Sequence, residues 1–155
     1  MRITDILTIN NIKIPLLASR REEAIKELIG LLENKVEDVK QAYEAVLERE
    51  KIMTTGVGNQ IAIPHCKHHS CPDFTIALGI SEKGIDFSSI DNNDVRLVFL
   101  LLGPENNPGK HIKLLSRISR LMTDNAFRER LLKAEDRKQV HDLLIEQEAG
   151  FADIE

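Results

Sequence analysis

The sequence predicts a three-layer α/β/α fold in which a central mixed β-sheet carries helices on both faces. Residues 95–102 are so continuously apolar that both faces of the strand they form should be covered. Helical pairs are predicted towards both ends of the chain, with closely spaced strands between them, and this order favours a mixed sheet over a regular βαβ series. The 155 residues contain no repeat and no Pro/Gly-rich linker, so we expect one domain over 1–155.

The N-terminal part is predicted to form a short strand followed by two helices. Residues 10–15 alternate apolar and polar side chains, which indicates a strand. Ser19 and Glu22 have the spacing of a capping box, so the first helix should begin there. Apolar stripes over 24–32 and 36–47, on either side of a polar break, predict the helical pair.

The middle of the chain is predicted to supply most of the sheet. Gly56 and Gly58 permit backbone turns that other residues resist, and residues 61–63 form a short extended run. Residues 73–81 and 95–102 are the clearest strands because they are long and rich in apolar side chains.

The C-terminal part is predicted to be helical. Asn107 followed by Pro108 is typical of an N-cap and the first helical position. Residues 108–138 hold nine lysines and arginines against four acidic residues, and these alternate with apolar residues at helical spacing, as on solvated helix faces. Apolar spacing predicts helices around 112–122, 127–132 and 140–144.

Composition narrows the possible classes of protein. The chain is 42% hydrophobic and 30% charged, contains no tryptophan and has a net charge of −4, which is ordinary for a globular protein. The basic segment lacks interleaved aromatic residues for base stacking, so we expect no nucleic-acid partner. The longest apolar run, 97–102, is far shorter than the roughly 20 residues that span a bilayer, and the N-terminus has no signal pattern. We therefore expect a cytoplasmic protein without direct membrane insertion, whose two cysteines are free thiols.

His65 is the main candidate for chemistry. Pro64 fixes its own φ and holds Ile63 extended, so the imidazole is aimed by the backbone that enters it. Such aim suits a nucleophile, because a misplacement of about 1 Å can lower a rate on the order of 100-fold. The alternative is that this Pro-His pair merely ends a strand.

A metal site is a second possibility in the same region. His65, Cys66, His68, His69 and Cys71 place five potential donors within seven residues. Structural zinc sites, however, usually take their ligands from two separated knuckles, and the chain has no Cys-x-x-Cys and no second donor cluster. A metal-binding module therefore stays a minor alternative, and metal binding by these residues would be adventitious.

Two further residues could act on an anion. His111 falls near the start of the helix opened by Asn107, where free N–H groups and the helix dipole favour negative charge. Arg49 lies near the end of its predicted helix and could supply a permanent planar cation. Each residue could instead have an ordinary structural role. His111 could be a polar residue on an exposed first turn, and Arg49 could complement the dipole at the end of its helix.

The residues from Gly56 to His65, followed about 45 residues later by His111 in an Ile/Leu-rich helix, resemble a known family. The pattern is similar to the fructose/mannitol-type enzyme IIA domain of the bacterial phosphoenolpyruvate-dependent sugar phosphotransferase system, a family that includes the nitrogen-regulatory IIA proteins. The resemblance covers nearly the whole chain, including residues 84–87, 95–102 and 114–134.

The resemblance implies a phosphocarrier. By this likeness, His65 is phosphorylated by a histidine-containing phosphocarrier protein and passes the phosphoryl group to a cysteine of a IIB domain. Arg49 and His111 then flank the phosphorylated ring, and Thr54 or Thr55 contributes a hydroxyl. The scheme agrees with phosphoryl-transfer chemistry, which depends on positioning and electrostatic stabilisation, and it requires no metal and no cofactor.

The likeness also bears on the type of system. Asn59, which we expect to support the phosphoryl site, stands where mannitol-type members tend to have an acidic residue, whereas nitrogen-type and many fructose-type members look like this chain. The leading hypothesis is a IIA component for fructose-type sugar uptake. The alternative is a nitrogen-regulatory IIA protein whose phosphorylation state controls binding to a regulatory target protein.

Overall fold

The computed structural model describes residues 1–155 and contains six α-helices and one six-stranded sheet. The helices are α1 Ile3–Ile6, α2 Arg21–Gly30, α3 Val39–Ile52, α4 Pro108–Leu121, α5 Asn125–Leu132 and α6 Arg137–Glu148. The strands are β1 Ile12–Lys13, β2 Gly56–Gly58, β3 Ile61–Ala62, β4 His65–Lys67, β5 Thr75–Ile85 and β6 Val95–Gly103. Short 3₁₀ turns cover Ile9–Asn11 and Glu33–Lys35.

The sheet is mixed, as predicted. Its strand order is β1-β5-β6-β3-β2, and β4 also pairs with β6. The long strands β5 and β6 are antiparallel, whereas β1 runs parallel to β5, and β3 and β4 run parallel to β6. β3 and β4 follow one another along the same side of β6, because β3 pairs with Leu97 and Val98 and β4 pairs with residues 101–103.

Helices cover both faces of the sheet, which confirms the predicted three layers. One core cluster joins alternate residues of β5 and β6, such as Ile76 and Leu101, to α1, α4, α5 and α6. The other joins the intervening residues, such as Ala77 and Leu102, to α2 and α3. β6 is buried along almost its whole length because helices lie on both of its sides, as the unbroken apolar run predicted.

The N-cap prediction at α4 is confirmed. The Asn107 side chain accepts a hydrogen bond from the backbone N–H of Lys110 at 3.2 Å, and Pro108 occupies the first turn. This cap satisfies a backbone donor that the helix leaves unpaired at its start. It also fixes where α4 begins, and therefore the position of His111 one turn into the helix.

The capping box predicted at Ser19 is wrong. α2 begins at Arg21, its N-cap is Arg20, and no side chain caps it. Arg20 instead forms an isolated bridge with Asp86, so the chain stays extended for one residue beyond Ser19. The capping geometry therefore cannot form between Ser19 and Glu22.

The strand predicted over 10–15 is also shorter than expected. Only Ile12–Lys13 pairs with β5, and a 3₁₀ turn occupies Ile9–Asn11 before it. The Asn11 side chain is buried and donates to the carbonyls of Ile6 and Ile76, which holds this turn against β5. Pro15 has no N–H with which to extend the ladder.

Two short strands were not predicted. β2 forms at the glycines that were expected only to turn, and it pairs antiparallel with β3. β4 begins at His65 and includes Cys66 and Lys67, for which no strand was predicted. Both depend on partners distant in sequence, which local patterns do not reveal. None of the helices has the length and apolar character that a bilayer crossing requires.

Candidate functional site

His65 is held at the start of β4, where the chain resumes pairing with β6. The carbonyl of Pro64 accepts a hydrogen bond from the backbone N–H of Leu101 at 3.0 Å, and His65 lies opposite Leu101 in the ladder. Pro64 therefore spans the break between β3 and β4 while remaining tied to β6. The backbone on both sides of the imidazole is fixed by the sheet, as the sequence predicted.

One hydrogen bond fixes the tautomer of His65. Nδ1 lies 2.6 Å from the carbonyl oxygen of Ile63, which can only accept, so Nδ1 carries the hydrogen and Nε2 keeps a free lone pair. Burial lowers the pKa of His65, the bond to Ile63 opposes this, and the charge of Arg49 lowers the pKa further. The ring is therefore neutral at pH 7, with Nε2 as its nucleophilic atom.

His111 lies beside His65 on α4. The two ring centroids are 5.6 Å apart and the rings are inclined at 55°. His111 is only 3% exposed, and neither of its ring nitrogens has a hydrogen-bond partner. Burial first, then repulsion from the protonated form of His65 and from the charge of Lys67, lower its pKa to about 4. It is thus a neutral ring with an unused N–H and an unused lone pair, rather than a polar residue on an exposed first turn.

Arg49 approaches the same point from α3. Its Nη1 donates to the carbonyl oxygen of Met53 at 2.9 Å, which anchors the side chain at the end of the helix. The structure brings Arg49 together with His65 and His111 around one cavity of about 500 Å³. The cavity is lined by Ala45, Arg49, Ile52, His65, Cys66, Lys67, His111, Ile112 and Leu115.

The cavity has a distinct electrostatic character. Two permanent cations, Arg49 and Lys67, lie among its nine lining residues, which include no carboxylate. Ile52 and Ile112 are 82% and 66% exposed, so the cavity opens between two apolar side chains at the surface. Cations and a hydrogen-bond donor are the groups that stabilise a transferring phosphoryl group, and a free imidazole nitrogen beside them can accept it.

The structure does not bring Thr54, Thr55 and Asn59 to this cavity, since none of them lines it. The Thr54 hydroxyl donates to the carbonyl of Phe87. Thr55 donates from its hydroxyl and its N–H to the buried Glu50 carboxylate, at 2.5 and 2.7 Å. Asn59 occupies the turn between β2 and β3 with a φ of 55°. Thr54 and Thr55 hold the segment between α3 and β3, because their polar groups are engaged with the protein itself, whereas Asn59 is exposed in its turn.

The donors of the metal alternative are also dispersed. Cys66 and Cys71 are buried, and burial raises the pKa of Cys66 to about 12 and also raises that of Cys71. Nδ1 of His68 accepts from the hydroxyl of Ser70 at 2.7 Å. Nδ1 of His69 lies 3.9 Å from a Glu105 carboxylate oxygen. No group of three or more His, Cys, Asp or Glu side chains is arranged to hold an ion, so the structure gives this alternative no site.

Two contributors to the site were missed by sequence reasoning. Lys67 lines the cavity two residues after His65, and an i, i+2 spacing would have signalled a shared face had β4 been recognised as a strand. Glu50 is 3% exposed and fastens Thr55 to the end of α3, and its negative charge raises the pKa of His65 against the effect of burial. No local pattern distinguishes this carboxylate from the exposed ones around it.

The chain is similar to proteins of one family over most of its length. Residues 5–147 match the family described as "Phosphoenolpyruvate-dependent sugar phosphotransferase system, EIIA 2". The "PTS system fructose-specific EIIA component" of Haloferax volcanii is 38% identical over 94% of this chain and 98% of its own length. The "PTS system fructose-specific EIIABC component" of Bacillus subtilis is 37% identical over 93% of this chain, which spans only 23% of that protein. A "Nitrogen regulatory protein" of Bradyrhizobium diazoefficiens is 34% identical over 93% of this chain and 95% of its own length.

Solved structures show the same likeness. The crystal structure of the nitrogen regulatory protein IIA-Ntr from Neisseria meningitidis superposes with a TM-score of 0.85 at 28% identity, over 90% of this chain and 97% of that one. Mannitol enzyme IIA from Escherichia coli, solved in complex with phosphorylated enzyme IIB, superposes with a TM-score of 0.79 at 25% identity, over 90% of this chain and 97% of that one.

Proposed function

This chain belongs to the EIIA 2 family of the phosphoenolpyruvate-dependent sugar phosphotransferase system, and from that premise we propose that His65 is its phosphoryl acceptor. The donor is a histidine-containing phosphocarrier protein and the recipient is a cysteine of a IIB domain. The observation that carries the proposal is the hydrogen bond from His65 Nδ1 to the Ile63 carbonyl, because it leaves Nε2 as the free nucleophile at a cavity lined by cations.

In the accepting step, the Nε2 lone pair of His65 attacks the phosphorus of the carrier's phosphohistidine. An N–P bond forms to His65 as the N–P bond to the carrier breaks, and the bonding electron pair returns to the carrier's imidazole. Nδ1 keeps its hydrogen throughout, and the positive charge that develops on the His65 ring is stabilised by the Ile63 carbonyl. No proton has to leave His65 for this transfer.

Arg49 and His111 act on the transferring group. Charge in a loose phosphoryl-transfer transition state lies on the three equatorial oxygens. Arg49, anchored to the Met53 carbonyl, presents a planar cation that matches two such oxygens. His111 has an unpartnered N–H in an almost fully buried ring, so it donates to an oxygen without first losing another hydrogen bond.

Onward transfer reverses the bonding at His65. The thiolate of the IIB cysteine attacks phosphorus, an S–P bond forms, and the N–P bond breaks with its electron pair returning to Nε2. The leaving group is a neutral imidazole, because Nδ1 still carries its hydrogen. The apolar rim of Ile52 and Ile112 supports this step, since their exposed side chains can pack against a partner and exclude water from the cavity.

The proposed physiological role is fructose-type sugar uptake. It is supported by two relatives named as fructose-specific components, one of which the chain matches over 98% of its length. The second candidate is nitrogen regulation, in which the phosphorylated state of His65 controls binding to a target protein. That candidate is supported by a relative named as a nitrogen regulatory protein and by the TM-score of 0.85 with IIA-Ntr.

The acceptor is tested by incubating the protein with labelled phosphoenolpyruvate, enzyme I and the phosphocarrier. We expect one phosphate per chain that is labile in acid and stable in alkali. His65→Ala should lose it, and His68→Ala, a matched change at a nearby histidine, should keep it. Nitrogen-15 NMR of the ring should place phosphorus on Nε2. Label retained by His65→Ala, or phosphorus on Nδ1, would contradict the proposal.

The two roles are separated by the fate of the label. A purified fructose-type IIB domain should remove phosphate from the wild-type protein and carry it on its active cysteine, and a IIB Cys→Ser variant should not. The nitrogen-regulatory role is favoured over sugar uptake by two results together. The IIB domain does not remove the labelled phosphate, and different regulatory proteins bind to the phosphorylated and the unphosphorylated form.

A further inference from the structure

Lys67 shares a face of β4 with His65. Successive side chains of a strand point to opposite sides, so residues 65 and 67 project together, about 7 Å apart along the strand. Their ladder partners agree: His65 lies opposite Leu101, which belongs to the core cluster beneath α4. The intervening Cys66 belongs to the cluster on the opposite side. Lys67 therefore extends towards the α4 side, where His111 lies.

The ammonium group of Lys67 is not committed to any carboxylate. The side chain is exposed, and none of the ten ion pairs of the structure includes it. Arg49 differs, because its guanidinium is tied to the Met53 carbonyl. Lys67 thus combines a fixed backbone with a mobile cation on a four-carbon stem.

Charge balance indicates what this cation is for. A phosphoryl group carries about two negative charges at pH 7, and Arg49 alone supplies one positive charge. Lys67 is the other permanent cation lining the cavity, and no carboxylate lines it. Its charge lowers the pKa of both His65 and His111, so the ammonium group acts on both rings.

We propose that Lys67 binds the phosphoryl group carried by His65, as a second cation beside Arg49. The ammonium donates hydrogen bonds to a non-bridging oxygen and stays protonated, so it takes no part in bond making or breaking. This inference rests on the proposed role of His65 as acceptor. It gives the phosphorylated state a ligand that can swing away when a partner approaches.

The test measures an equilibrium rather than a rate. The phosphorylated carrier is mixed with this protein after enzyme I has been removed. The two proteins then exchange phosphate until the ratio of the two phosphoproteins is constant. Lys67→Met should shift that ratio towards the carrier by roughly three- to tenfold, the range for loss of one partly exposed charge-assisted contact. Lys67→Arg should stay within about twofold of wild type, because the cation is retained. Lys26→Met, an exposed lysine on α2 without an ion pair, is the matched control and should change nothing.

An unchanged equilibrium in Lys67→Met would overturn the inference. If the rate of approach alone slowed, and did so most at low salt, Lys67 would be a steering charge for the carrier and not a phosphoryl ligand. Neither result would touch the acceptor assignment, which fails only if His65→Ala is still labelled. Lys67 is exposed, so thermal melting of its variants should match wild type.

Discussion

Replacing His111 by leucine should make the unphosphorylated protein more stable and the phosphoryl transfer slower. The ring is 3% exposed and neither nitrogen has a partner. A buried polar group without a hydrogen bond costs about 1–3 kcal/mol, and leucine fills a similar volume without polar atoms. We expect the free energy of unfolding in urea at pH 7 to rise by about 1 kcal/mol, the lower end of that range because the shapes differ.

The gain from His111→Leu should grow as the solution is acidified. The pKa of His111 is about 4 in the folded protein, against about 6.5 in the unfolded chain. Between these values the unfolded chain binds a proton that the folded protein does not, so wild-type stability falls as the pH decreases from 6.5 to 4. The difference between the two pKa values corresponds to a loss of about 3 kcal/mol in the free energy of unfolding when the pH falls through this range. Leucine does not titrate, so His111→Leu should not show this loss.

Transfer should respond in the opposite direction. A hydrogen bond to a charged group is worth roughly 1.5–3 kcal/mol, so losing the bond from His111 to a phosphoryl oxygen should slow acceptance roughly 10- to 150-fold. Rapid-quench single turnovers with labelled carrier measure this rate. His141→Leu is the control, because its Nε2 is also buried without a partner but the residue does not line the cavity. An unchanged transfer rate in His111→Leu, or a loss of stability that does not vary with pH, would show that His111 is not a buried neutral hydrogen-bond donor at this site.

Other expectations concern the framework around the site. Glu148→Gln should lower the free energy of unfolding by about 3–5 kcal/mol, because the fully buried carboxylate pairs with Arg117 at 2.8 Å. Guanidinium melts measure this loss, and adding Arg117→Met to Glu148→Gln should recover part of it, because no buried cation is then left unpaired. Gly56→Ala should lower the free energy of unfolding by about 1–3 kcal/mol, since a new Cβ would lie 2.2 Å from the Ser89 hydroxyl oxygen. Adding Ser89→Gly should restore part of this stability. An unaltered melt of Gly56→Ala would show that the segment around Ser89 moves away at no cost. Asn107→Ala should lower the free energy of unfolding by about 1 kcal/mol and slow phosphoryl transfer, because it frees the first turn of α4. Asn107→Asp should keep the wild-type stability and transfer rate, since aspartate also caps a helix. An equal loss in the two variants would exclude a capping role.

Local sequence was sufficient where one short segment contains the whole cause. The Asn107-Pro108 pair fixed the start of α4 because cap and capped N–H lie three residues apart. The apolar run of β6 predicted helices on both faces because burial on two sides leaves no room for polar alternation. The aim of His65 followed from Pro64 for the same local reason.

Local sequence failed where the cause lies on another element. Ser19 has capping-box spacing, but pairing of Arg20 with Asp86 moved the helix start. The expected support from Thr55 was not found at the cavity, because its hydroxyl is taken by a buried Glu50 carboxylate. β4 was not predicted, since a three-residue strand exists only through its pairing with β6.

The layered α/β architecture and the candidate acceptor His65 can be read from the amino-acid sequence alone, and family likeness adds Arg49 and His111 beside it. The chemical state of these groups follows only from the folded chain: which nitrogen of His65 is free, that His111 is a buried neutral ring, and that Lys67 lines the cavity. The tautomer and the pKa of a side chain, and the cavity that it lines, depend on desolvation and on neighbours that the fold brings together from distant segments. Residue type and spacing select the atoms that we propose for phosphoryl transfer, and folding sets their protonation and their orientation.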